Sequence, residues 1–184
     1  MSWTEIEKQL RELSADEVVK FVKGLHDLSP QNKAWLQSKL LPIAQDTKYL
    51  EACRRKVANY VYKETRGIPP MPRFSEARKV IAEYRKFTDD MRGSLDLMLT
   101  YIERGHQFTL DFGDIDEPFY GALENMWERF AVELRRSPAK YELFNQFELR
   151  LKKMRKRSNI GWGYGDTVRA TVDELKKSLG ETGT

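Results

Sequence analysis

Asp111, Asp114, Asp116 and Glu117 place four carboxylates within seven residues, and oxygen donors at that density could gather a hard cation such as calcium or magnesium. A divalent-metal-dependent enzyme built around residues 111–117 is one reading that follows, with Asp111, Asp114 and Asp116 as ligands. The spacing departs from an EF-hand. Counted from Asp111, the sixth place holds Asp116 where glycine is needed, and the twelfth holds Ala122 where glutamate is needed. The simpler reading makes Asp114 the end of a turn, with Asp116 and Glu117 complementing the start of a helix at Pro118.

The opposite charge is concentrated in Arg150-Leu151-Lys152-Lys153-Met154-Arg155-Lys156-Arg157. Six cations in eight residues could grip phosphates without regard to sequence, and Trp162 and Tyr164 just beyond could stack on unpaired bases. Cations are also favoured at any helix C-terminus by the macrodipole, and Leu151 and Met154 mark a buried stripe, so a solvated helix end competes with a nucleic-acid surface. Gly161-Trp162-Gly163-Tyr164-Gly165 ahead of a helix could cradle a phosphate on backbone amides. Without a preceding strand or a Walker lysine, and with Asp166 in the anion's place, a tight turn anchored by two aromatics fits better; Trp162 and Tyr164 could also form a partner-facing patch.

His26 and His106 are far apart and outside any H-E-x-x-H pattern, and Cys53, the single cysteine, falls on an apolar helical stripe as a small core residue. No G-x-S-x-G elbow or comparable nucleophile turn occurs. No catalytic residue and no cofactor are therefore assigned.

These residues must be positioned by helices. Ile6, Leu10 and Leu13 recur at helical spacing; Ser14 and Glu17 form a capping box before a helix expected to bury Val18, Val22 and Leu25; and Ser29-Pro30 opens a helix through Trp35, Leu36 and Leu40. Pro42 interrupts. Ile43, Leu50, Cys53, Val57, Tyr60 and Val61 then trace one face of a longer helix ending near Thr65. Gly67 to Arg73, with three prolines in four residues, reads as an extended connector more than as a P-x-x-P docking peptide.

Beyond it, Ser75 and Thr88 are expected caps, Gly105 an expected helix end, and His106 to Asp116 an aromatic, acidic loop where a strand would lie if the chain had one. Helices are expected again from Pro118 through Leu134, from Ser137-Pro138 through Tyr141, Phe144, Phe147, Leu151 and Met154, and from Asp166 or Thr167 to Gly180.

The expected fold is all-α, with about nine helices in antiparallel pairs forming an irregular bundle or a short α-α superhelical array. Residues 1–66 and 74–180 would be two helical subdomains packed as one domain around the 67–73 connector, with 181–184 a loose tail. Hydrophobic residues make up 40% of the chain and aromatics 11%, enough for a core. The formal charge is +4 and the pI about 9.1, mildly basic. No run approaches the roughly 20 apolar residues of a membrane span, and neither a secretory leader nor an Asn-x-Ser/Thr acceptor is present. A cytoplasmic location is expected.

The blocks Ala77 to Tyr84, Leu95 to Tyr101, Phe112 to Tyr120 and Ile160 to Tyr164, with Leu28 to Asn32, resemble a bacterial family of small helical proteins classed only as a domain of unknown function. The resemblance implies a bacterial cytosolic setting and no chemistry. Elimination leaves a non-enzymatic protein-interaction or adaptor module, with another protein as partner, nucleic acid as the alternative and no membrane.

Overall fold

The computed structural model describes residues 2–40, 47–64, 67, 69–161 and 163–180. Nine α-helices and no strand occur among them: α1 Trp3–Glu12, α2 Ala15–Leu28, α3 Pro30–Leu40, α4 Thr47–Val61, α5 Phe74–Thr88, α6 Met91–Phe112, α7 Glu117–Arg136, α8 Lys140–Lys156 and α9 Tyr164–Leu179. Pro42, Ile43 and Thr65, assigned above to α4 and its surroundings, lie outside the described residues. None of these helices is long and apolar enough to cross a membrane.

Helix α6 is the hub, packed against α4, α5, α7 and α8. Every residue from Gly93 to Ile102 is buried, and so are Gly105, His106, Phe108 and Thr109. This overturns the expected end at Gly105. With neighbours on several sides the helix has no continuous polar face, so its 3.6-residue signature is blurred at His106–Phe112 and the segment reads as a loop. Gly105 serves packing instead: an added Cβ would overlap the Leu123 side chain of α7, so glycine lets the two helices approach closely. The helix stops at Gly113, whose φ of 80° suits glycine.

Other boundaries shift for local reasons. Asp90, not Thr88, caps α6 by accepting from the Gly93 amide at 3.0 Å. The Thr88 hydroxyl instead donates to the Tyr84 carbonyl within α5. Helix α5 begins at Phe74, one residue before the expected cap at Ser75. Ser137 accepts from Ala139 in a turn that delays α8 to Lys140, leaving Tyr141 exposed. Helix α9 begins at Tyr164, ahead of Asp166 and Thr167, because Gly163 takes the left-handed cap position at φ 86°.

One hydrophobic cluster draws on α4 through α9, from Cys53 to Leu179. Packing thus joins α4 to the C-terminal helices across the proline connector, which folds back so that the Arg73 amide donates to the Tyr60 carbonyl and the guanidinium lies over the Tyr60 ring. Helices α1 and α2 bury no residue, and among the described residues α3 contributes Ala34 alone to the buried set. Val18 and Val22 are half-buried and Leu25 is exposed, against the expectation that all three are buried.

Asp116 caps α7 as expected, accepting from the Phe119 amide at 2.9 Å. Asp116→Ala should lower unfolding free energy by about 1 kcal/mol, and Asp116→Asn by much less. Urea denaturation followed by circular dichroism measures both.

Candidate functional site

Among the described residues, most of the exposed large hydrophobic side chains lie on the first three helices. In α2, Phe21, Leu25 and Leu28 follow Val18 and Val22 at helical spacing. Phe21 is 60% and Leu28 74% exposed. Together with Lys20 and Gly24 they line a shallow depression of about 440 Å³. Trp3 and Ile6 of α1, Val19 of α2 and Trp35 and Leu40 of α3 are exposed as well. Sequence reasoning placed Val18, Val22 and Leu25 of this stripe in the core. With Phe21 and Leu28 added, the apolar arc of α2 spans about 120°, an ordinary core-facing width, so no signal in the sequence marks part of it as uncovered.

Both helices hold their shape by local means. Ser2 with Glu5, and Ser14 with Glu17, form reciprocal capping boxes. Arg11 pairs with Glu7 at 2.6 Å and Lys23 with Asp27 at 2.8 Å. Asn32 of α3 donates to the Leu25 carbonyl at 2.8 Å, tying α3 to the C-terminal half of α2.

The three acids proposed as metal ligands are not brought together. Asp111 accepts from the Tyr62 hydroxyl at 2.9 Å and from Gln107 at 2.6 Å, facing α4. Asp114 receives a long 3.5 Å contact from the Tyr120 hydroxyl, and Asp116 caps α7. Among the described residues no group of three or more His, Cys, Asp or Glu is arranged to hold a metal ion.

The basic helix end is divided between the interior and the surface. Arg150 turns inward, its Nε and Nη2 donating to both Glu103 carboxylate oxygens at 2.8 and 2.7 Å, and its Nη1 to Asp96 at 2.5 Å. Asp96, 8% exposed, also accepts from Arg54 Nε at 2.8 Å. Burial alone would make Arg150 easier to deprotonate, but Glu103 and Asp96 more than offset that and hold it charged. Lys152 pairs with Glu148, Arg155 bidentately with Asp173, and Arg157 donates to Gln107. Lys153 and Lys156 are exposed, without an ion-pair partner among the described residues.

The glycine loop is a packed turn. The amides of Tyr164, Gly165, Asp166 and Thr167 all donate to backbone carbonyls of Ile160, Gly161 or Gly163, leaving none of these four for an anion. Side chains at Gly161 or Gly165 would collide with the Tyr120 hydroxyl and the Ser158 carbonyl. Tyr164 is fully buried and accepts from Trp127 Nε1 at 3.2 Å, so it supports the core and presents nothing to a partner. Trp162 lies outside the described residues.

Beside Tyr164 sits His106, 3% exposed, with neither ring nitrogen hydrogen-bonded among the described residues. Burial pulls its pKa down to about 4, and the Arg157 backbone carbonyl offsets this only in part, falling short of a hydrogen bond.

Compared with known proteins, the chain matches no family model, no curated protein and no solved structure.

The buried charged and titratable groups make stability the quantity to measure. Arg150→Met should strand the Asp96 and Glu103 carboxylates and cost on the order of 3 kcal/mol in chemical denaturation, more than Lys153→Met and Lys156→Met together. For His106, the unfolded ring titrates near 6.5 and the native one near 4. Between these values the unfolded state binds the additional proton, so the contribution is intact above about pH 6.5 and declines as pH falls toward 4. His106→Leu should accordingly gain roughly 2 kcal/mol relative to the parent at pH 5 compared with pH 7.5, read from paired denaturation curves.

Proposed function

We propose that this chain is a non-enzymatic protein-interaction module whose contact surface is the apolar face of α1 and α2. The supporting observation is that Trp3, Ile6, Phe21, Leu25 and Leu28 all stand exposed on two amphipathic helices that bury nothing of their own. A helix of 10 to 14 residues has little stability in water by itself and draws most of it from covering its apolar side. Large apolar patches rimmed by polar residues mark interaction surfaces in soluble proteins.

The rim charge favours protein over other surfaces. Between Trp3 and Leu28 stand six acids, Glu5, Glu7, Glu12, Asp16, Glu17 and Asp27, against four bases, Lys8, Arg11, Lys20 and Lys23. That balance disfavours an anionic bilayer and nucleic acid alike. The nucleic-acid reading through residues 150–157 has less support, because Arg150 is engaged with Asp96 and Glu103 and Arg155 with Asp173.

Phe21→Glu changes an exposed side chain, so melting temperature should stay within about 2 °C of the parent, consistent with the small effects of surface substitutions. Immobilised parent protein should retain a protein partner in stoichiometric amount from native lysate, and the Phe21→Glu and Leu28→Glu variants should lose it. Equal recovery on parent and variants would remove the proposal.

A further inference from the structure

We infer that the occupant of this face is a second copy of the chain, with α2 crossing α2 about a two-fold axis near Gly24. The inference rests on the interaction reading above and names its partner. Its starting point is Gly24, in the middle of a 14-residue helix, where glycine is a poor helix former. Glycine usually occupies such a position because it permits a close approach, as Gly105 does under Leu123. Around Gly24, however, an added Cβ would meet no described residue within 4 Å. No described residue makes the approach that this notch permits.

The notch and its ridges are self-complementary. Phe21 lies three residues before Gly24 and Leu28 four after it, on the wall of the same depression. In an antiparallel crossing centred there, Phe21 of one copy meets Leu28 of the other, and the reverse contact follows by symmetry, as an isologous interface requires. The same crossing sets Lys20, on the wall of the depression in one copy, toward the C-terminal half of the other, which carries Asp27. The in-helix Lys23 and Asp27 pair leaves little net field to repel a copy.

Phe21, Leu28 and Leu25, 60%, 74% and 48% exposed, line the notch and would bury on the order of 700 Å² of apolar surface in two copies. Polar stems at the rim, Lys20 among them, bring the contact to the lower end of specific interfaces, below roughly 1,200 Å², which suits weak association.

Sedimentation equilibrium of the parent, Phe21→Glu and Gly24→Leu from micromolar to several hundred micromolar tests this. The parent should move with concentration from 21.6 kDa toward twice that mass. Both variants should associate at least tenfold more weakly with unchanged melting temperature, since the side chain added by Gly24→Leu would project into open space in the monomer. A parent that stays at 21.6 kDa throughout, or that dimerises equally in both variants, overturns the inference. The interaction reading is separable: a monomeric parent that captures a different protein through Phe21 removes self-association and keeps that reading. A monomeric parent without Phe21-dependent capture removes both, as does one that floats with uncharged phosphatidylcholine vesicles through Phe21.

Discussion

Asp96 is a buried carboxyl group in the second turn of α6, the helix against which α4, α5, α7 and α8 pack. A carboxylate there is tolerable only if its lone pairs are met, because an unpaired buried charge is among the costliest features a fold can hold. Arg54 reaches it from α4 and Arg150 from α8, and Arg150 extends the network to Glu103 about two turns further along the same face of α6. Thr100 closes the set, donating to the Asp96 carbonyl while accepting from Arg150. Three helices that hydrophobic contact alone would let slide are thereby set in register: a one-turn slip of α4 or α8 keeps most apolar contacts but separates guanidinium from carboxylate.

That constraint explains the fate of the cationic segment at the end of α8. A helix terminus with six cations looks uniform in one dimension, but helical geometry turns Arg150 toward the core while Lys153 and Lys156 face water. Of the remaining cations, Lys152 pairs with Glu148 on its own helix, Arg157 donates to Gln107 of α6, and Arg155 reaches Asp173 on α9, whose carboxyl the guanidinium holds below its ordinary range. The acidic turn is distributed in the same way, each carboxylate serving a different local bond.

What could be read from the residues was what local chemistry decides. The capping box at Ser14 and the Asp116 cap depend on neighbours within a turn, and these stand where the spacing put them, while the Ser2 box was not read from the sequence. The expectations that failed depend on neighbours distant in the chain. Gly105 resembles a terminator until Leu123 is known to press against it, and His106–Phe112 resembles a loop until packing on several sides accounts for its lack of a polar face. Leu25 fits a core stripe equally well whether the surface opposite belongs to the chain or to something else. The exposed face was legible as apolar but not as uncovered.

The division between a cluster drawn from α4 to α9 and an N-terminal trio with one buried core residue among those described has a thermodynamic consequence. Cooperativity in unfolding comes from shared buried contacts, and segments with few of them open at a free-energy cost well below that of the whole molecule. Amide protons of α1 and α2 would then exchange through openings that leave α4 to α9 intact, and a calorimetric transition would report almost entirely on the larger cluster. Whatever covers these helices must also order them, so its apparent affinity contains a folding equilibrium, and helix-favouring substitutions on their polar side would tighten binding without touching the partner.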